Sequence, residues 1–276
     1  EKQKEIVDRY NAKIKLAEEQ EKEAQNLEQE INKYIFSELG LKIKKDLKQD
    51  KLLNFVKFSN LKLWGVDKIC RTNRFYSEIY KLHSLNDTCD LYIETFRGKS
   101  PKYENNSNSI ILNQKCNRWN SIDLNFAKTV SESWANSIDN NFKTQEGDIL
   151  INSTGEGTIG RASYISKENI GLLYDSHILL LRLNKQKINP LYYTYLFNSC
   201  FGQDQIDFVK SAQSTKQTEL GIDNLKKIKF PYPDMDVQNE IVDTITKLKA
   251  KIEKLNNLAE QNRKLAQEEF EKELFE

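Results

Sequence analysis

QNEIVDTITKLKAKIEKLNNLAEQNRKLAQEEFEKEL, residues 238–274, carries the sharpest periodicity in the chain. Ile241, Ile245, Leu248, Ile252, Leu255, Ala259, Asn262 and Ala266 recur at alternating steps of four and three, the seam of a heptad helix. Asn262 is the polar member of that seam and is placed to fix its register. Neither Gly nor Pro interrupts residues 238–275, which permits a helix of roughly 55 Å at about 1.5 Å per residue. Pro231 and Pro233 mark its entry, and Asp234 or Asp236 is placed to cap it. A rougher copy opens the chain: Val7, Tyr10, Ile14, Ala17, Ala24, Leu27, Ile31 and Tyr34, interrupted at Glu21 and stopped at Gly40.

The two ends match in sequence as well as in period. Residues 3–8 are QKEIVD and residues 238–243 are QNEIVD, an offset of 235. The same offset pairs Ile35 with Phe270, Glu38 with Glu273 and Leu39 with Leu274. One unit has been duplicated, and one helix leads into the intervening segment while the other leads out of it. That order allows the two to pack antiparallel as a stalk.

The chain has 276 residues, 38% hydrophobic and 30% charged, with 3 Trp, 12 Tyr and 13 Phe. This apolar content suits one or two folded domains and excludes a disordered chain. No run of about 18 apolar residues is present, so no membrane partner is expected. The charged start EKQKEIVDRY is unlike a signal peptide. Cys70, Cys89, Cys116 and Cys200 stand alone without a CxxC pair, which points to neither a zinc site nor a disulfide framework. The expected setting is a reducing cytoplasm. The chain opens at Glu1 inside a helical pattern and its only Met is Met235, as in a fragment of a longer protein. Net charge is +1 overall, but residues 1–38 carry −3, 41–81 carry +7, 82–237 carry −1 and 238–276 carry −2. The middle is basic and the ends acidic, and a basic surplus attracts a phosphate backbone.

Between the helices, GDILINS (147–153), GRASYIS (160–166) and LLYDSHILLLRL (172–183) have strand patterns, and PLYYTYLFNSCF (190–201) has a helix pattern with Pro at its first turn. An α+β globule follows. Several strings mimic catalytic motifs. Gly155, Gly157 and Gly160 spell G-x-G-x-x-G, and Asp175 lies 20 residues beyond the first. A dinucleotide site needs a helix to begin at those glycines, whereas RASYISKENIGLLY continues as a strand and a turn. A kinase loop fails for want of HRD and DFG. A hairpin turn is the expectation, with Thr158 and Arg161 still able to face a ligand. NPLY (189–192) lacks the second Pro of an adenine-methyltransferase pocket and marks a helix start. Pro233–Asp234 resembles a nuclease motif, but the acids beside it fall on the heptad helix. His83 and His177 have no partner at metal-ligand or triad spacing, so each is expected to be structural or hydrogen-bonding. No catalytic constellation and no cofactor or metal site remain.

Four polar, turn-rich stretches do remain: RGKSPKYENN (97–106), NQKCNRWN (113–120), STGEGTIGR (153–161) and QSTKQTE (213–219). Asn and Gln pair with adenine, Arg or Lys with guanine, and Lys, Ser and backbone N–H groups hold phosphates. Any one is an ordinary surface loop. Four in one globule beside a basic segment favour nucleic acid.

With these residues in place, the chain resembles the specificity subunit of bacterial type I restriction-modification systems over essentially its whole length. The resemblance is carried by GKSPKY (98–103), NQKCNRW (113–119), GDILINSTGEGTIGR (147–161), DSHILLLR (175–182), INPLYYTYLFNS (188–199), STKQTEL (214–220) and, most specifically, LKKIKFPYPDMDVQNEIV (225–242). It implies a mixed α+β target recognition domain carried on two long antiparallel coiled-coil helices. Residues 1–38 and 238–276 would be spacer helices and 39–237 the second recognition domain, reading half of a split duplex site. The helices would dock methyltransferase subunits and, through them, restriction subunits. Methyl transfer and cleavage would reside in those partners, leaving this chain non-catalytic. Asn117 and Asn120 stand where relatives often carry other residues, so the DNA target is not implied, and Gln213 stands where similar proteins often have Gly, which argues against a tight phosphate-gripping turn there.

On this resemblance, Lys99, Lys102, Tyr103, Gln114, Lys115, Arg118, Trp119, Thr158, Arg161, Lys216 and Gln217 are expected near double-stranded DNA, with Gln114, Arg118 and Gln217 at base edges. Two other readings stay open. One is the C-terminal specificity region of a fused type IIG restriction enzyme and methyltransferase. The other is a protein-interaction module built on the heptads. An antiparallel homodimer through an exposed helix seam is a further expectation.

Overall fold

The computed structural model describes residues 2–43, 75–87, 90–212 and 218–275. Most of the basic segment 41–81, with Cys70 and Cys89, therefore lies outside the described residues. The chain divides into two units, Glu1–Glu38 with Glu240–Glu276, and Leu39–Asn239.

The first unit is a helix pair. Helix α1 spans Lys2–Glu38; the last helix, α6, spans Met235–Phe275 and begins three residues before the heptad run. Arg9 Nη2 lies 2.9 Å from Glu273, Asn262 Nδ2 donates to Gln20 Oε1 at 3.0 Å, and Lys13 meets Glu269. Early residues of one helix thus meet late residues of the other, so the pair is antiparallel. Ile241, Ile245, Ile252, Ala259 and Ala266 are buried, as their spacing requires. In α1 the seam differs from the apolar pattern. Ile6 is buried and Val7 is 45% exposed, and the interface positions run Ile6, Tyr10, Lys13, Ala17, Gln20, Ala24, Leu27, Ile31. Polar Lys13 and Gln20 occupy seam positions and hide the period from a hydrophobic count. Glu21 sits at the edge in a two-bond pair with Arg263, at 3.0 and 2.8 Å, and that guanidinium lowers its pKa.

The second unit is α+β. Its strands are β1 Leu41–Ile43, β2 Phe75–Ser77, β3 Leu82–Ser84, β4 Tyr92–Arg97, β5 Ile110–Leu112, β6 Lys128–Thr129, β7 Asp148–Asn152, β8 Ala162–Tyr164, β9 Leu173–Tyr174, β10 Ile178–Leu183, β11 Ser211–Ala212, β12 Thr218–Glu219 and β13 Lys229–Pro231. Its short helices are α2 Glu132–Ser137, α3 Pro190–Asn198, α4 Cys200–Val209 and α5 Ile222–Leu225. The central sheet has the order β4-β10-β7-β8, antiparallel throughout. Every residue of β7 and β10 is buried, which explains their near-continuous apolar runs. The exception across three strands is ionic. Arg182 reaches both carboxylate oxygens of Asp148 at 2.8 Å and Glu94 at 3.1 Å, from directly opposite register positions. A smaller sheet, β6-β5-β9, pairs β5 with β9 in parallel. Leu112, Cys116, Leu150, Tyr174, Ile178 and Leu180 form one core cluster that brings β5, β7, β9 and β10 together.

Two sequence expectations are refined. LLYDSHILLLRL is two strands with a turn at 175–177, because Asp175 Oδ1 accepts the His177 amide at 3.0 Å and folds the backbone there. The 190–201 helix is two helices that break at Ser199, in extended backbone. Asn189 caps the first through bonds to Leu191 and Tyr192 amides, which accounts for NPLY. Among the described residues, no helix is long and apolar enough to cross a membrane.

Arg9–Glu273, Lys13–Glu269 and Gln20–Asn262 share one antiparallel register, and extending it along the helix pair sets Leu27 against Leu255. Gln20→Leu alone leaves the Asn262 amide without its partner and is expected to cost about 1 kcal/mol in thermal unfolding followed by circular dichroism. Adding Asn262→Leu is expected to recover that loss, with self-associated species appearing in sedimentation velocity as pairing becomes less selective.

Candidate nucleic-acid interface

The loop between β5 and β6 is held by one buried side chain. Asn117 is fully buried, and its Nδ2 lies 3.1 Å from Leu150 O, 3.0 Å from Arg161 O and 3.0 Å from Asn152 Oδ1. Ser163 donates to its Oδ1, and the same hydroxyl lies 2.9 Å from Arg118 O and 2.7 Å from Ser121 O. Asn152 in turn donates to Gln114 O at 3.0 Å. Asn120 adopts φ 63°, its amide reaches Ala162 O at 3.0 Å, and its Oδ1 accepts from Asn198. Both asparagines are therefore fixing points of the loop. Cys116 is buried beneath it, and burial pushes its thiol pKa up.

With the backbone pinned, the side chains between the pins face outward. Lys115 and Trp119 are exposed, Gln114 and Arg118 partly so. Arg118 lies 4.7 Å over the Phe126 ring and 3.9 Å from Asp123, and Arg161 lies 5.8 Å over Trp119. Such stacking orients a guanidinium and leaves donors free at its rim.

The G-x-G-x-x-G string is the turn between antiparallel β7 and β8, with φ of 98°, 75° and 82° at Gly155, Gly157 and Gly160. No helix begins there, as the sequence indicated. Thr158 turns its hydroxyl onto Thr154 O at 3.2 Å, and Arg161 Nη2 donates to Gly157 O at 2.8 Å. Gln114 donates through Nε2 to the Thr154 hydroxyl, which also lies 2.8 Å from His177 Nδ1. Gln114, Arg118, Trp119, Thr158 and Arg161 therefore belong to one cluster built from the 113–122 loop, the 153–161 turn and the turn after β9.

Lys99, Lys102 and Tyr103 form a neighbouring group. Gly98 backs onto the carbonyls of Tyr174 and Asp175, where a Cβ has no room, and Lys99 bridges to Asp175. Lys99 lies 3.9 Å over Phe142, and Lys128 lies 4.8 Å over the exposed Tyr103 ring. Asp175 is buried between these groups, and burial raises its carboxyl pKa. Lys216 and Gln217 lie outside the described residues. Sequence reasoning missed Thr154, Phe126 and Lys128 as members of this surface; the exposed aromatics next to cations were the available signal. Among the described residues, no group of three His, Cys, Asp or Glu side chains is placed to hold a metal ion.

A family model described as the type I restriction modification DNA specificity domain matches residues 107–262, which include the pinned loop, the β7–β8 turn and part of α6. The chain belongs to this family. A curated member, the MjaX specificity subunit assigned to a type I restriction enzyme of Methanocaldococcus jannaschii, is 33% identical over 96 residues, 34% of this chain and 22% of that protein. Solved type I chains share the fold at low identity. One, from work on assembly and conformational transition of the type I R-M system, has a TM-score of 0.54 at 11% identity, covering 99% of this chain and 58% of that one. The HsdS subunit of Thermoanaerobacter tengcongensis gives 0.50 at 11%, with 98% and 57% covered. The S subunit of M. genitalium gives 0.51 at 10%, with 95% and 56% covered. The chain thus spans little more than half of each solved type I chain. The likeness extends over both units and bears out an α+β domain accompanied by two long antiparallel helices.

Asn117→Ala removes the donor shared by Leu150, Asn152 and Arg161. It is expected to lower stability by about 1–3 kcal/mol in urea unfolding, because the buried Asn152 Oδ1 loses its donor and the amide that joins the loop to both strands is gone. Hydrogen exchange should quicken in residues 113–122 well before the central sheet.

Proposed function

We propose that this chain is the DNA-reading part of a type I restriction-modification specificity subunit and recognises one half of a bipartite duplex site. The observation that carries this reading is the pinned cluster of Gln114, Arg118, Trp119 and Arg161, an outward set of amide, guanidinium and aromatic groups on a backbone fixed at Asn117. A rigid loop bearing bidentate donors is what base-edge discrimination needs. Lys99, Lys102, Tyr103 and Lys115 supply neighbouring phosphate contacts, and Lys216 and Gln217 complete the set.

In this reading residues 39–237 are the recognition domain, and 1–38 with 238–276 are spacer helices. The helices are net acidic, at −3 and −2, which suits contact with methyltransferase subunits better than contact with phosphate. Restriction subunits join through those methyltransferases, and the chain itself performs no catalysis. A stiff helix pair also holds a half-site distance that a flexible linker would not. A homodimer through the helix seam would have to exchange helices, since the seam is filled within one chain.

Selection from a randomised duplex pool, at two salt concentrations and with and without the partner methyltransferase, tests the proposal. An enriched short motif is expected. Weak, salt-sensitive binding without a motif overturns the base-reading claim. Arg118→Ala is expected to cost about 1–3 kcal/mol in binding and to relax preference at one base pair.

A further inference from the structure

His177 is exposed, but it does not hang freely on the surface. Its backbone is fixed on both sides: the amide donates to Asp175 Oδ1 at 3.0 Å, and the carbonyl accepts from Ser153 N at 2.8 Å and Ser153 Oγ at 2.9 Å. Its ring is fixed as well, through Nδ1 at 2.8 Å from the Thr154 hydroxyl. That hydroxyl already receives the Gln114 Nε2 proton. A threonine hydroxyl has one proton to give and two lone pairs with which to accept. With the Gln114 proton accepted, the hydroxyl still has its own proton to give to Nδ1, and in that tautomer the imidazole carries its proton at Nε2. The ring then presents one donor at its outer edge, beside the amide of Gln114.

Three segments are needed for this arrangement: the 113–122 loop brings Gln114, the β7–β8 turn brings Thr154, and the turn after β9 brings His177. Gly155 keeps it compact, since a Cβ there would lie 2.9 Å from Gln114 Oε1. Thr154 is itself held from the far side by its bridge to Glu219, which pairs with Arg97.

We infer that His177 is a specificity-determining residue, whose Nε2–H, oriented by Thr154, donates to the N7 acceptor of a purine next to the base pair read by Gln114. This rests on the DNA-reading proposal and adds to it a residue, an atom and a class of base. Purine N7 is an acceptor on the major-groove edge of both adenine and guanine, so the contact would select purine over pyrimidine at one position.

The test begins with the duplex enriched by the unaltered chain. His177→Ala and Thr154→Val are passed through the same selection, and each is expected to lose purine preference at one shared position, by roughly tenfold, while other positions keep theirs. Replacing that purine by its 7-deaza analogue should weaken binding of the unaltered chain about as much as His177→Ala does, and should not weaken binding by the His177→Ala chain further. If the unaltered chain enriches no motif, the DNA-reading proposal fails. If it enriches one and either variant keeps every preference, or the 7-deaza duplex binds normally, the assignment of His177 fails while the DNA-reading proposal stands.

Discussion

Asn117 is a primary amide with no solvent, placed where the 113–122 loop crosses the ends of β7 and β8. A buried amide must be paired, and here its pairing joins two strands and a loop. Leu150, Asn152, Arg161 and Ser163 all spend hydrogen-bonding capacity on it. Because the loop backbone cannot move without orphaning these groups, the side chains around it are preorganised. Arg118 and Trp119 follow Asn117 directly and Gln114 precedes it by one short turn. Their placement is a consequence of one satisfied polar cluster at the ends of β7 and β8.

The helix pair rests on a different constraint. Its two seams, from Ile6 to Ile31 and from Ile241 to Ala266, coincide position by position at the offset of 235 that relates the repeated sequences. Each position therefore meets the repeat equivalent of its own partner's counterpart, as in a two-fold interface. Such a pair has two equivalent layers, and here they differ: one is Gln20 with Asn262, the other Leu27 with Leu255. The duplication supplies self-complementarity and the polar layer breaks it, favouring the pairing of unlike helices within one chain.

Much of this architecture was legible in the sequence. The α6 seam, the repeat, the glycine turn, β7, β8 and the capped helix at Asn189 follow from local periodicity and turn chemistry, which act over a few residues. In α1 the apolar pattern marks most seam positions correctly, but Val7 and Ile14 stand in for Ile6 and Lys13, and Gln20 is passed over, because polar seam residues are identified only by the partner helix. Asn117 and Asn120 looked like variable recognition positions, yet their bonds go to Leu150, Arg161, Ala162 and Asn198, far away in sequence. Thr154 and His177 were obscure for the same reason: each is an ordinary polar residue until three segments converge. The family resemblance was carried by ordered motifs between residues 98 and 242, most of which fall inside the match over 107–262.

The central claim is that the 113–122 loop, the 153–161 turn and the turn at 175–177 form one DNA-contacting surface. Hydrogen exchange of the chain with and without its selected duplex tests it most directly. The account predicts joint protection of these three segments, with the exposed faces of α1 and α6 unchanged. Protection confined to the helices, or to the lysine-rich stretch 41–81, would contradict it.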